Sequence, residues 1–160
     1  MPQWIYQEPK TILEYANALV SVFLIDAFVL FVVLWLSAFG LLPPIVAVPR
    51  AALTPIEAII VAPLLEEIVF RAAPLWFTRK LSRDETLLGV VIITSSFFFA
   101  LIHNGQMQLA IQGIGGVLLC ALYLKCGGMR GVLFTPLVVV TMYHMIWNFT
   151  VLTIVFALSR

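Results

Sequence analysis

Ala62-Pro63-Leu64-Leu65-Glu66-Glu67-Ile68-Val69-Phe70-Arg71-Ala72 sets two adjacent carboxylates and a guanidinium inside an apolar run extending from Ile56 to Phe77. As a helix the run is long enough to cross a bilayer. A charge at the centre of a membrane helix costs roughly 2.5–3.5 kcal/mol on insertion scales, so three cost on the order of 8–10. The run holds eleven Ile, Val, Leu and Phe residues, each contributing only about 0.3–0.6 kcal/mol in favour of insertion. The two sums roughly cancel. Such a helix is marginal alone, and its charges have to turn into a protein interior closed by other helices.

The rest of the chain is suited to supply them. Of its 160 residues 62% are hydrophobic and only 11% charged, and the mean hydropathy is +1.09. A soluble domain is nearer half apolar and a quarter charged. Several long apolar runs predict an all-α, polytopic integral membrane bundle. A spanning barrel would alternate apolar and polar residues, and these runs do not. The net charge of +1 gives no sign of a nucleic-acid partner. Glu8, Lys10 and Glu14 interrupt the first fifteen residues, unlike a secretory signal. Cys120 and Cys126, the only cysteines, are expected to serve packing.

Five spans are predicted in one domain, 1–160. Met1–Tyr15 reads as an interfacial segment with Trp4 and Tyr6 at headgroup depth. The first span, Ala16–Leu42, carries Asp26 and closes at Pro43-Pro44. After a loop with Arg50, Thr54-Pro55 caps a second span to Phe77, kinked at Pro63 and Pro74. The third, Thr86–His103, stops at Asn104-Gly105. The fourth, Met107–Lys125, holds Gly113, Gly115 and Gly116, which permit close helix approach. The last runs from a Thr135-Pro136 cap to about Leu158. In this arrangement Lys10, Arg79, Lys80, Arg83, Lys125 and Arg130 share one side, with Arg50 and Arg160 on the other. The positive-inside bias then places the N-terminus in the cytoplasm and the C-terminus outside, and the plasma (inner) membrane is the expected location.

Intramembrane ionisable groups default to function. Glu67 and Arg71 are four residues apart, within about 40° on one helical face, the spacing of an internal ion pair. Glu66 is turned about 100° from Glu67, and a carboxylate lacking such a pairing on its own helix suits a general base or proton carrier. His103 follows Phe99 by one turn, and His144 and Asn148 form another i,i+4 pair. Glu66 and His144 fall at about 18 Å from the same face, and His103 at about 24 Å.

Glu66-Glu67-x-x-x-Arg71, Phe99-x-x-x-His103 and His144-x-x-x-Asn148, in this order, resemble the three motifs of the CPBP intramembrane proteases. This family, also called Abi, includes the Rce1-type CAAX prenyl endopeptidases. The likeness covers about Ile60 to Phe149; Ala72 stands where the family usually has glycine, and a single span, residues 16–42, precedes the motif core. The resemblance implies a helical bundle that cleaves a peptide bond of a membrane-associated protein or peptide, such as a prenylated CAAX protein or a C-terminal sorting tail. It implies that Glu66 and His103 activate a water and that His144 and Asn148 steady the oxyanion, with Glu67 and Arg71 as a supporting pair.

Two histidines and a glutamate also suit a three-ligand zinc site. There is no His-Glu-x-x-His, however, and spending both histidines on a metal leaves only Glu67 as a base, so a metal-free, cofactor-free mechanism is expected. Two other functions use the same residues. A proton-coupled carrier would run protons over Glu66, Glu67, Arg71 and Asp26, although the chain lacks the repeats and paired broken helices of transporters. A non-catalytic membrane scaffold or immunity protein would tolerate loss of Glu66 or His103.

Overall fold

The computed structural model describes residues 3–42, 54–103 and 106–158. The expected stops at Pro43-Pro44 and Asn104-Gly105, the charges of Arg50 and Arg160, and the side chain of Trp4 lie outside the described residues. Among the described residues the regular structure is entirely helical.

A short 3-10 turn, Gln3–Tyr6, precedes α1, Ile12–Ala38. The start of α1 lies four residues before the expected Ala16 because Thr11 caps it and Glu14 reaches back past the cap. Thr11 Oγ1 accepts from Glu14 N at 3.2 Å, and Glu14 Oε2 accepts from the N–H of Lys10, one residue before the cap, at 2.6 Å, a close variant of the capping box. The helix ends at Ala38 rather than Leu42, before Gly40 at a φ of 70°. A second box opens α2, the helix over residues 55–81: Thr54 N donates to Glu57 Oε2 at 2.7 Å, and Glu57 N to Thr54 Oγ1 at 3.2 Å. Asp84 caps α3, Glu85–Leu101, accepting from Thr86 N at 2.8 Å. Next come α4, Gln106–Lys125, and α5, Phe134–Leu158. The last helix begins one residue before its expected cap, Thr135. Pro136 falls in its first turn, where a missing N–H is harmless.

Kinks are expected in α2, and the form they take is specific. Its α-helical stretches Ala62–Glu67 and Ala73–Leu81 alternate with two π-helical ones, Glu57–Val61 and Ile68–Ala72. Each π stretch ends two residues before a proline, Pro63 or Pro74. Proline offers no N–H to the preceding turn and clashes with its carbonyls. The backbone absorbs the misfit by widening to i→i+5 bonding, seen in Ala62 N to Glu57 O and Ala73 N to Ile68 O. Such widenings gather at functional sites.

Burial is inverted relative to a soluble protein. Glu67 and Arg71 are wholly buried, while on α1 Leu24, Phe28 and Phe31 are each more than 60% exposed. Exposed apolar stripes of this extent mark a surface facing something other than water. Helix α1 and, in α5, Phe134–Ile154 are long and apolar enough to cross a membrane; Glu85–Leu101 and Ile111–Lys125 are apolar but shorter.

The interior is built on Leu75, Leu88, Leu122, Tyr123 and Val140, with both cysteines buried and free. Helices α3 and α4 pack closely through Gly116, where an added Cβ would meet Ser96 Cβ at 3.0 Å and Ser96 Cα at 3.2 Å. Gly116→Ala therefore has to push the two helices apart, an overpacking expected to cost about 1–3 kcal/mol. Gly89 is the control, since a methyl added there would meet nothing within 4 Å. Melting in detergent should show Gly116→Ala well below wild type and Gly89→Ala at or above it; equal melting of the two would contradict this packing.

The N-terminal segment, the α2–α3 connector and the α4–α5 turn meet at one end. Arg79 Nε donates to Met129 O at 3.2 Å and Lys125 Nζ to Gln7 O at 2.9 Å. Arg130 pairs with Glu8, and Tyr6 donates to Glu85; that bond to a carboxylate raises the phenol's pKa above its ordinary value.

Candidate active site

The α-helical turn between the two π stretches carries Glu66 and Glu67, and α3 and α5 bring the histidines to it. The Glu67–Arg71 spacing closes as an ion pair, Glu67 Oε1 lying 3.2 Å from Arg71 Nη1 with both side chains fully buried. The guanidinium lies over Phe99, its Cζ 3.8 Å from the ring centroid, so a cation–π contact supplements the carboxylate.

Both glutamates face His144. Its Nδ1 is 2.7 Å from Glu67 Oε1 and its Nε2 is 3.6 Å from Glu66 Oε2. Glu66 thus shares a histidine with Glu67, despite the turn of the helix between them, because the imidazole is broad enough to bridge adjacent residues. Arg71 and His144 also share Glu67, which makes that carboxylate the joint of the cluster.

His103 comes from just beyond the end of α3 rather than from within it. Its ring folds back on its own helix, with Nδ1 2.7 Å from the carbonyl oxygen of Phe99 and Nε2 3.9 Å from Glu66 Oε1. This fold-back removes the depth difference expected between His103 and Glu66. A carbonyl only accepts, so Nδ1 carries the proton, and in the neutral ring Nε2 presents a lone pair towards Glu66.

Phe99 does more than its place in the Phe99-x-x-x-His103 spacing suggests. It stacks on Arg71, sits 4.5 Å from the His103 ring and 5.9 Å from the His144 ring, and holds His103 by its carbonyl. Asn148 is placed differently from its neighbours: its Nδ2 donates to the Ala58 carbonyl at 3.1 Å. Ala58 lies five residues before Pro63, so in the π register its donor would be the N–H that proline lacks. On the second stretch Ser95 Oγ donates to Phe70 O, the carbonyl four residues before Pro74. Each proline-freed region of α2 is thereby tied to a side chain from another helix.

Sequence reasoning missed Ser95 and the partner of Asp26. Ser95, Phe99 and His103 stand at i, i+4 and i+8, a spacing that marks one helical face and is the signal that could have found Ser95. Asp26 receives a hydrogen bond from Tyr143, the residue beside His144, with both side chains buried, which joins α1 to the helix that carries the histidine.

The donor types around Glu66, His103 and His144 are those of a zinc site. Among the described residues no three His, Cys, Asp or Glu side chains are grouped closely enough, as they stand, to hold a metal.

A family model described as type II CAAX prenyl endopeptidase Rce1-like matches residues 27–150. Searches of curated proteins and of solved structures found no match.

Proposed function

Because the chain belongs to the Rce1-like family of type II CAAX prenyl endopeptidases, we propose that it is an intramembrane endopeptidase in which Glu66 activates the attacking water. The family is one of membrane-embedded proteases, so the reaction class is peptide-bond hydrolysis. The observation that carries the reading is the convergence of Glu66 Oε1 with His103 Nε2 at 3.9 Å in a buried polar cluster. Two acceptors at that separation are too far apart to bond each other and close enough for one water to donate to both. A water so held turns its lone pairs outward.

In the proposed sequence Glu66 takes one proton from this water as its oxygen attacks the scissile carbonyl. The oxyanion receives a hydrogen bond from Asn148, through the amide hydrogen not given to Ala58, and one from His144 Nε2 with that ring as its cation, since Nδ1–H is already given to Glu67. The proton on Glu66 passes to the amine nitrogen as the C–N bond breaks, leaving a new carboxylate and a new amine. Glu67 and Arg71 orient His144 without touching substrate.

Five crossings in a single domain, 1–160, with the N-terminus cytoplasmic in the plasma membrane, complete the reading. The bonds gathering Lys125, Arg79 and Arg130 at one end of the bundle support it. The substrate class is a membrane-associated protein or peptide, either a prenylated CAAX C-terminus or a sorting tail. The test is cleavage, by the purified chain in lipid vesicles, of a farnesylated CAAX peptide and of an unprenylated membrane-anchored tail, before and after strong chelation. Cleavage of either that survives chelation is the expected result. Activity that chelation removes and zinc alone restores would overturn the metal-free mechanism, and cleavage of neither would overturn the substrate class.

A further inference from the structure

A cavity of about 1030 Å³ opens at the end of the bundle where the basic residues gather, between the N-terminal segment, α1 and α4. None of Glu66, His103 and His144 is in its lining, so it is separate from the candidate active site. Its mouth and its walls differ in character. Lys10, Lys125 and Arg130 stand at the mouth with Glu8 and Glu14, while Ala18, Val22 and Ile25 of α1 and Leu118 of α4 form a mainly apolar wall, with Asn17 and Ser21 beside them.

The two carboxylates are already engaged, Glu8 with Arg130 and Glu14 with the Lys10 backbone N–H. Lys125 Nζ donates to Gln7 O, which holds its ammonium at the mouth, and Lys10 is exposed. Three cations stand against two carboxylates, so the mouth keeps a surplus positive charge. Ala18, Val22 and Ile25, at i, i+4 and i+7, continue from it along one face of α1 for about 10 Å. A cationic mouth above an apolar stripe is complementary to an anionic amphiphile.

We propose that this cavity seats one anionic phospholipid, its phosphate at Lys10 and Lys125 and one acyl chain along Ala18, Val22, Ile25 and Leu118. A free phosphate would use the mouth and leave the wall wet. A zwitterionic lipid would fill the wall and bring its own cation to the surplus charge. Basic pockets between membrane helices on the cytoplasmic side recognise lipid head groups in this way.

The full chain in detergent is titrated with dioleoylphosphatidylglycerol or dioleoylphosphatidylcholine, and bound lipid is counted by native mass spectrometry. One phosphatidylglycerol should be retained, about thirtyfold more tightly than phosphatidylcholine if both lysines act. Lys10→Gln should weaken it about fivefold. Leu118→Trp fills the wall and should remove the tight site while the melting midpoint stays near that of wild type. Ser21→Phe fills it from α1 and carries the same expectation where the tryptophan impairs folding. Equal retention of the two lipids, displacement by millimolar glycerol phosphate, or full binding in both filled variants would each overturn the proposal. Displacement by a farnesylated peptide would make the cavity a substrate seat and overturn it too.

Discussion

Glu66→Gln is expected to lower turnover by about 10²–10⁴, the range of a positioned general base, in a protein that folds and melts like wild type. The amide keeps the shape of the carboxylate and its place between His103 and His144 but cannot take a proton from water. His103→Ala should lose turnover similarly, since the second acceptor lies 3.9 Å from Glu66 and its removal leaves the water held from one side. The measurement is turnover on one peptide beside the melting midpoint of the same preparation. Normal cleavage by Glu66→Gln, together with a folded but inactive Glu67→Gln, would move the base to the neighbouring residue. Normal cleavage by both would leave the cluster a structural one.

The second large effect is on folding. Glu67→Ala leaves the Arg71 guanidinium buried without its carboxylate, and Arg71→Ala does the reverse. Either is expected to cost about 3–5 kcal/mol and to reduce detergent-stable yield sharply. The double change Glu67→Leu with Arg71→Met removes both charges at similar volume and should recover much of the loss. It should not recover activity. His144 Nδ1 rests 2.7 Å from Glu67, and in the double variant that nitrogen has no acceptor there, so the ring loses its orientation. Recovered stability with lost turnover separates the charge-pairing role of Glu67 from its hold on His144. A double variant no more stable than either single one would show that the pair is not what the fold depends on.

Much of this site is legible because its determinants are local. The four-residue spacing of Glu67 and Arg71 is enough to pair them in any helix. Thr54-Pro55 announces a start that Glu57 completes, and Gly113 and Gly116 announce a close approach that Ala100 and Ser96 provide. The same kind of signal, Thr11-x-x-Glu14, is present at the start of α1, but Trp4 and Tyr6 just upstream suit an interface and draw the whole segment into that reading. What stays illegible depends on contacts between distant residues. Nothing in the neighbourhood of Asp26 names Tyr143, and nothing near Asn148 names the Ala58 carbonyl. His103 looks misplaced in depth because rise per residue locates a backbone, whereas its ring reaches back from beyond the helix end to Phe99. The prolines promise a disturbance in α2, but whether it becomes a bend or a widened turn is decided by whether other helices offer donors to the freed carbonyls.

Those widened turns bear on how the faces of α2 are to be read from its sequence. Each π stretch is equivalent to one residue inserted into an ordinary helix, and an inserted residue advances every later side chain by about 100°. Two insertions bracket the six residues Ala62–Glu67, so the angular phase of the glutamates is set independently of the segment before them and of the segment after. A helical wheel drawn through the whole of residues 55–81 with one period is out of step on both sides of the pair. Superposed on a helix of uniform α period over these residues, the chain would match the flanks or the glutamates, and not both.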